Sequence, residues 1–151
     1  MKAVVQRVSS SGVTVDGKIT GKIGKGFNVL LGVVPEDTEK DAEILAAKIA
    51  KLRVFEDADG KMNLSLLDVD GEVLAISQFT LCADIKKGNR PSFIGAAEPE
   101  YANRLYEYFQ EQLLLNGVRK VEHGIFGADM KVDIQNDGPV TILMDSAIWK
   151  K

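Results

Sequence analysis

The sequence predicts a single α/β domain with mixed β-sheets and two main helices that cover one sheet face. Its length of 151 residues fits one domain and leaves no room for a second catalytic unit. The predicted elements alternate along the chain as strands, helix, strand, helix and strands, which is the order of a mixed domain. Hydrophobic residues make up 45% of the chain and charged residues 27%, as in ordinary globular proteins.

The first third of the chain is strand-like. Polar and apolar residues alternate from the N-terminus, and Asp16-Gly17 predicts a two-residue hairpin turn. The apolar run from Phe27 to Val34 ends at Pro35. Such a run predicts a central strand that is buried on both faces.

Two helices are predicted from their termini and their apolar spacing. Thr38 is a favourable N-cap, and apolar residues then recur at helical spacing as far as Leu52. Pro99 suits the first turn of the second helix, and Asn116-Gly117 ends it. Other segments have the composition of strands: Met62–Leu67, Glu72–Leu81, Val118–Glu122, Met130–Gln135 and Val140–Met144. Asp84–Phe93 is predicted to be a loop.

Charge and cysteine content limit the partners and the compartment. The net charge of −3 and the pI near 5.2 argue against a protein that coats nucleic acid, but they allow a small basic patch that holds an RNA end. Cys82 is the single cysteine, which suits a reducing compartment and a small buried apolar side chain. We find no export signal and no apolar stretch of membrane length. A cytoplasmic protein is expected.

The common hydrolytic and cofactor motifs are absent from the sequence. Ser-His-Asp and Cys-His sites need an imidazole, and the one histidine, His123, stands at a predicted strand end where a surface or structural role is the simpler interpretation. No zinc-binding or phosphate-loop pattern is present. We therefore expect no metal and no nucleotide cofactor.

Two segments carry groups that are able to act on an ester. The first is Ser77-Gln78-Phe79-Thr80-Leu81; it is either a strand with Phe79 and Leu81 facing the core, or a strand end whose hydroxyl and amide groups orient a substrate. Thr80 is a nucleophile only if a base activates it, and none is near in sequence. The second is Asn136-Asp137-Gly138-Pro139-Val140-Thr141, which is either a hairpin turn or, with a cis Gly-Pro bond, a rigid wall of carbonyls beside a small pocket.

These segments belong to a set of motifs that spans nearly the whole chain: MKAVVQRV, GKGFNVLLGV, SQFTL, KKGNRPSF, FGADMKV and NDGPVT. In this order the set resembles the D-aminoacyl-tRNA deacylase family, also called D-tyrosyl-tRNA deacylase. The SQFTL and Gly-Pro motifs define that family, and both are intact. The resemblance implies a three-layer β/β/α fold and hydrolysis of the ester between a D-amino acid and the 3′-terminal ribose of tRNA.

The resemblance also implies a homodimer whose chiral selection works by exclusion. A cis Gly138-Pro139 pair would reach into the partner's active site, where its carbonyls would hold the substrate α-amino group and leave no space for an L side chain. Many D-amino acids, and achiral glycine mischarged on non-cognate tRNA, would then be accepted.

The same resemblance implies roles for individual site residues. Backbone amides around Phe79 and Thr80 would stabilise the oxyanion, while Ser77 and Gln78 would shape the pocket. The 2′-hydroxyl of the terminal adenosine would assist the attack, with Thr80 as nucleophile the alternative.

The resemblance further predicts how the tRNA end is held. Lys86, Lys87 and Arg90 would contact phosphates of the acceptor end, unless their loop is merely solvated. Phe126 would stack on the terminal adenine, unless it is a core residue.

Two other functions remain open at this point. One is a binding module of the same fold that recognises tRNA ends or another nucleic acid without turnover. The other is a hydrolase of small free esters, which the missing activated nucleophile disfavours. Hydrolysis of a free D-amino acid ester separates this last class from the tRNA hydrolase.

Overall fold

The computed structural model describes residues 1–150 and contains eight strands and two long helices. The strands are β1 (Lys2–Val15), β2 (Lys18–Ile23), β3 (Gly26–Gly32), β4 (Phe55–Glu56), β5 (Met62–Leu64), β6 (Glu72–Ser77), β7 (Val121–His123) and β8 (Lys131–Asp145). The helices are α1 (Glu39–Lys51) and α2 (Pro99–Leu115). The predicted domain runs to Lys151, which lies outside the described residues. No helix among residues 1–150 has the length and apolar character of a membrane span.

A six-stranded mixed sheet forms the centre of the molecule. Along one edge, β1 pairs antiparallel first with β3 and then with β2, and its other edge pairs antiparallel with β8. The strands β3, β6 and β7 follow in parallel. The predicted hairpin between β1 and β2 is present, and Asp16 and Gly17 both have positive φ, as a tight two-residue turn requires.

Both faces of the central strands are buried. Within β6, Val73 and Ala75 pack into the larger core with the helices, whereas Leu74 and Ile76 face a second core together with apolar residues of β1 and β2. The sheet curls like a barrel, and Gly21 of β2 lies so close to β7 that a Cβ there would be 2.7 Å from the His123 carbonyl oxygen. The predicted α/β fold class is confirmed. The two helices cover one face of the sheet, and the curled sheet encloses the second core on its other face.

Both predicted helices are confirmed. Thr38 is the N-cap of α1, where its backbone N–H donates to the Asp41 carboxylate at 2.9 Å. Pro99 opens α2, and Asn116 caps its C-terminus. These positions were predictable because capping chemistry is local in sequence.

Three predicted strands have different bounds in the structure. The predicted strand Glu72–Leu81 ends at Ser77, because its neighbour β3 ends at Gly32 and the chain then enters a 3₁₀ turn at Phe79–Cys82. Only Met62–Leu64 of the predicted segment Met62–Leu67 is extended, since its partner β4 has two residues. The predicted strand Val118–Glu122 is instead β7, Val121–His123.

The interpretation of Asn136–Pro139 as a hairpin turn is wrong. Both predicted strands pair with β1 and form the single strand β8, so the chain does not reverse. Gln6 pairs with Thr141, and the next pair along β1 joins Val8 to Asn136. The four intervening residues of β8 therefore oppose one residue, Arg7, and form a bulge.

Candidate active site

The chain leaves the sheet at the end of β6, between Ser77 and the 3₁₀ turn. The Gln78 N–H still donates to the Leu31 carbonyl oxygen at 2.8 Å, as the parallel ladder requires. The first N–H groups of a helical turn have no acceptor within it. Those of Phe79 and Thr80 have no backbone acceptor among residues 1–150, and both residues are exposed. Two adjacent backbone donors are thus available at this strand end.

Phe79 faces outward, so the interpretation that places it in the core is wrong. Its side chain is 54% exposed and its ring meets that of Phe93 edge to face, with centroids 5.0 Å apart. Cys82, at the other end of the turn, is buried as predicted. Burial raises the pKa of the Cys82 thiol, which makes this side chain an apolar packing group rather than a nucleophile.

Thr80 has a hydrogen-bond donor beside its hydroxyl and no base. The Gln78 side-chain amide donates from Nε2 to Thr80 Oγ1 at 2.5 Å, and this is the one side-chain hydrogen bond of Thr80 among residues 1–150. An amide N–H cannot accept the hydroxyl proton. The arrangement orients Thr80 without activating it as a nucleophile.

Two adjoining cavities open beside the strand end. The larger, of about 410 Å³, has mostly apolar walls that include Phe93 and Pro99. The smaller, of about 250 Å³, is more polar and includes Gln78 and Asp129. Four residues line both cavities: Ser77, Phe79, Phe126 and Gly127. The shared walls therefore join a mostly apolar space to a smaller and more polar one.

Phe126 both packs on the core and faces the cavities. It is half-buried against the larger core, with its ring centroid 6.1 Å from that of Tyr106. His123 lies elsewhere: it is exposed, its Nδ1 is 2.7 Å from the Gly124 carbonyl oxygen, and it lines neither cavity. Within residues 1–150, no group of three or more His, Cys, Asp or Glu side chains is placed to hold a metal.

The predicted basic loop begins directly after the 3₁₀ turn. Asp84 and Ser92 close it with two backbone hydrogen bonds of 2.8 and 2.9 Å. The three basic side chains are exposed, and none forms an ion pair with residues 1–150: Lys86, Lys87 and Arg90. Because the next aromatic residue, Phe93, lines the apolar cavity, the loop leads back to the candidate site.

Gly138 and Pro139 form the tip of the β8 bulge and are joined by a cis peptide bond. Both residues are exposed, and neither lines the two cavities of its own chain. Arg7 holds the bulge: its Nε donates to the Asp137 carbonyl oxygen at 2.9 Å and its Nη1 to the Val54 carbonyl oxygen at 2.6 Å. Arg7 was not predicted as a site residue, although an arginine on the same strand face as Ala3 and Val5 was a signal of a buried polar role.

The comparisons with known proteins give the family. The model of the D-Tyr-tRNA(Tyr) deacylase family matches residues 4–145, nearly the whole chain. The chain belongs to this family. Proteins named D-aminoacyl-tRNA deacylase are 59% identical in Thermosipho melanesiensis, where the match covers 97% of each chain, and 55% identical in Bacillus cereus, where it covers 97% of this chain and 99% of the relative. The predicted family is confirmed, and with it the activity of the family, D-aminoacyl-tRNA deacylation by a hydrolase.

Two solved structures have the same fold. One is named c-Myc DNA Unwinding Element Binding Protein. It is 48% identical with a TM-score of 0.90, and the match covers 96% of this chain and 98% of the solved one. The other is described as a probable eukaryotic D-amino acid tRNA deacylase; it has a TM-score of 0.81 at 15% identity, and the match covers 95% and 97% of the two chains. At that identity the second likeness supports the fold alone.

Proposed function

We propose that this protein carries out the family's hydrolysis of D-aminoacyl-tRNA in the two cavities beside Ser77, and that it also accepts mischarged glycyl-tRNA. The observation that carries the proposal is the pair of cavities with shared walls. The apolar cavity takes the terminal adenine, which stacks against Phe126. The smaller cavity takes the aminoacyl group. The ester between them then lies beside the free N–H groups of Phe79 and Thr80.

Hydrolysis needs little more than placement, because an aminoacyl ester is already activated. Water attacks the ester carbonyl, and the N–H groups of Phe79 and Thr80 donate to the oxygen that becomes negative. The bond between the carbonyl carbon and the ribose 3′-oxygen breaks, and the 3′-oxygen takes up the proton that the attacking water gives up. The group beside the Thr80 hydroxyl is the Gln78 amide N–H, which donates a hydrogen bond and cannot act as a base. The adenosine 2′-hydroxyl therefore assists the attack in place of Thr80.

The pocket is completed by the Gly138-Pro139 tip of a second copy of the chain. Support comes from the exposure of the tip and from its absence from the cavities of its own chain. One edge of β8 pairs with β1, and the other edge has no strand partner among residues 1–150. Leu143 on this strand is 77% exposed. A fifteen-residue strand with one unpaired edge and an exposed apolar side chain favours association with a second chain.

Chiral selection follows from the placement of this tip. Its carbonyl oxygens accept hydrogen bonds from the substrate α-ammonium group and occupy the space that an L side chain needs. Discrimination then depends on the Cα configuration and not on the side chain. Glycine has no side chain and passes the same wall.

The acceptor end is held by charge outside the cavities. Lys86, Lys87 and Arg90 are free to contact phosphates, because none is in an ion pair among residues 1–150. The substrate and the single buried thiol both suit a cytoplasmic reaction.

A mixed-dimer experiment tests the proposal. Pro139→Ala damages the tip and leaves the cavities intact, whereas Ser77→Phe fills the cavities and leaves the tip intact. We expect a mixture of the two variants to restore the wild-type preference for D-Tyr-tRNA over L-Tyr-tRNA. A mixture that discriminates as poorly as the Pro139→Ala homodimer would show that the tip acts within its own chain.

A second candidate function is nucleic-acid binding without turnover. The 48% identical structure favours it, because that protein is named for binding a DNA unwinding element. The net charge of −3 opposes it for duplex DNA. Incubation of the protein with D-Tyr-tRNA separates the two functions: release of D-tyrosine supports the deacylase, and retention of intact D-Tyr-tRNA in a stable complex supports the binding module.

A further inference from the structure

Tyr106 connects α2 to the sheet directly behind the candidate active site. Its side chain is 3% exposed, and its hydroxyl donates to the Ala75 carbonyl oxygen at 2.6 Å. Ala75 is the last residue of β6 that pairs with β7, opposite His123. The phenol therefore lies where the ladder between β6 and β7 ends.

Beyond this point the two chain segments diverge and form the walls of both cavities. One wall is Ser77–Phe79, and the other is Phe126–Gly127. Burial raises the pKa of Tyr106 far above its usual value, although hydrogen bonds from the backbone of Gly124 and Ser77 oppose this effect. The phenol therefore stays protonated and able to donate to the Ala75 carbonyl oxygen.

The ring of Tyr106 has a second contact with the site. Its centroid is 6.1 Å from that of Phe126, and the two rings are tilted by 47°. Phe126 lines both cavities. The phenol and the ring of one side chain thus contact different parts of the same site.

We propose that Tyr106 is a positioning residue for deacylation: its hydroxyl holds β6 just before the wall Ser77–Phe79, and its ring supports Phe126 in the other wall. This inference rests on the function proposed above. Tyr106 does not line the two cavities, so it acts through the β6 backbone at Ala75 and through Phe126, and not on the substrate.

The two contacts predict separate kinetic effects. The hydroxyl acts on the backbone just before the Phe79 and Thr80 N–H groups, which bond most strongly to the charge that develops in the transition state. A small shift of these donors lowers kcat and leaves tRNA binding nearly unchanged. The ring supports a surface that binds substrate in the ground state, so its loss raises KM.

Tyr106→Phe removes the hydroxyl and keeps the ring. Tyr101→Phe is the matched control, because Tyr101 lies on the same helix, donates its hydroxyl to the Asp37 carbonyl oxygen and lines neither cavity. We expect Tyr106→Phe to lower kcat for D-Tyr-tRNA about tenfold or more, with KM within about twofold of wild type. Tyr101→Phe keeps the wild-type kcat at a similar loss in Tm.

Tyr106→Leu removes the ring as well and is expected to raise KM above that of Tyr106→Phe. All variants are assayed at a temperature where circular dichroism shows them folded. The inference is overturned if both Phe variants have equal kcat, or if Tyr106→Phe changes KM alone. Wild-type activity is measured in the same series, so an inactive wild type identifies a failure of the proposed function itself.

Discussion

Arg7 and Asp137 are 130 positions apart in sequence, yet the Arg7 Nε donates to the Asp137 carbonyl oxygen at 2.9 Å. The guanidinium is buried and spans the space between this carbonyl and that of Val54. It is therefore the element of the core that fixes the β8 bulge and its exposed tip, Gly138-Pro139.

Arg7→Lys is expected to relax chiral selection. A lysine amine cannot reproduce the fixed geometry of two guanidinium donors, so one buried carbonyl loses its partner at a cost of about 1–3 kcal/mol. The tip then moves, and the ratio of D-Tyr-tRNA to L-Tyr-tRNA hydrolysis falls about tenfold or more. Both rates and the free energy of unfolding should be measured.

Arg53→Lys is the control for this variant. Arg53 also donates from Nε to a backbone carbonyl oxygen, that of Asn63, but this contact is exposed and joins the chain just before β4 to β5. Its D-to-L ratio should match wild type. An unchanged ratio in Arg7→Lys would contradict the role of Arg7.

Thr80→Val is expected to retain substantial activity. The substitution removes the hydroxyl that accepts from Gln78 and keeps the backbone N–H that we propose as an oxyanion donor. We predict a decrease in kcat of less than about a hundredfold, smaller than the loss expected for an obligatory nucleophile. Single-turnover hydrolysis of D-Tyr-tRNA measures it. A trapped acyl-enzyme on wild-type Thr80 would contradict the proposed attack by water.

Replacement of Lys86, Lys87 and Arg90 by Gln is expected to weaken tRNA binding and lower its salt dependence. A plot of the logarithm of the binding constant against the logarithm of the salt concentration has a negative slope, and each lost phosphate contact makes it less steep by about one. The Kd of tRNA over a series of salt concentrations tests this. Lys18→Gln, at the exposed start of β2, is the control, and an equal change in its slope would show that the loop makes no specific contact.

Asp41 is expected to make the fold sensitive to acid. Burial alone raises the pKa of Asp41, but hydrogen bonds from Ser146, the Thr38 backbone and Lys150 outweigh it and lower the pKa to about 2. A carboxylate with a lowered pKa stabilises the fold fully above its usual value of 3.8, and this stabilisation is lost as the pH falls through about 2.

The corresponding loss is about 2 kcal/mol between pH 5 and pH 2. The free energy of unfolding over this pH range measures it. Asp41→Asn is expected to remove that part of the pH dependence, whereas Asp16→Asn, at the exposed β1–β2 turn, should keep it. Identical pH profiles for wild type and Asp41→Asn would contradict this assignment.

The elements that could be predicted from sequence are those whose signals are local. Thr38 and Pro99 mark helix starts through capping and fixed φ, and Asp16-Gly17 marks a turn through its backbone conformation. The end of β6 at Ser77 could not be predicted, because it depends on where the neighbouring strand β3 stops. Pairing between distant strands leaves no local pattern.

The same limit applies to the candidate site. SQFTL and NDGPVT were found through their resemblance to a family, but the residues alone left a buried strand and a hairpin turn as open interpretations. The outward position of Phe79 follows from the 3₁₀ turn, and the β8 bulge follows from the way both of its flanks pair with β1. Arg7 was missed because its partners, Val54 and Asp137, are 47 and 130 positions away.

We propose above all that this protein removes D-amino acids from tRNA and leaves L-aminoacyl-tRNA intact. The most direct test compares hydrolysis of D-Tyr-tRNA and L-Tyr-tRNA by the purified protein, side by side and with a chelator present. We predict rapid loss of the D-ester, while the L-ester persists as it does in buffer. Equal rates for the two esters would contradict chiral exclusion, and no loss of either ester, with tRNA still bound, would contradict deacylation.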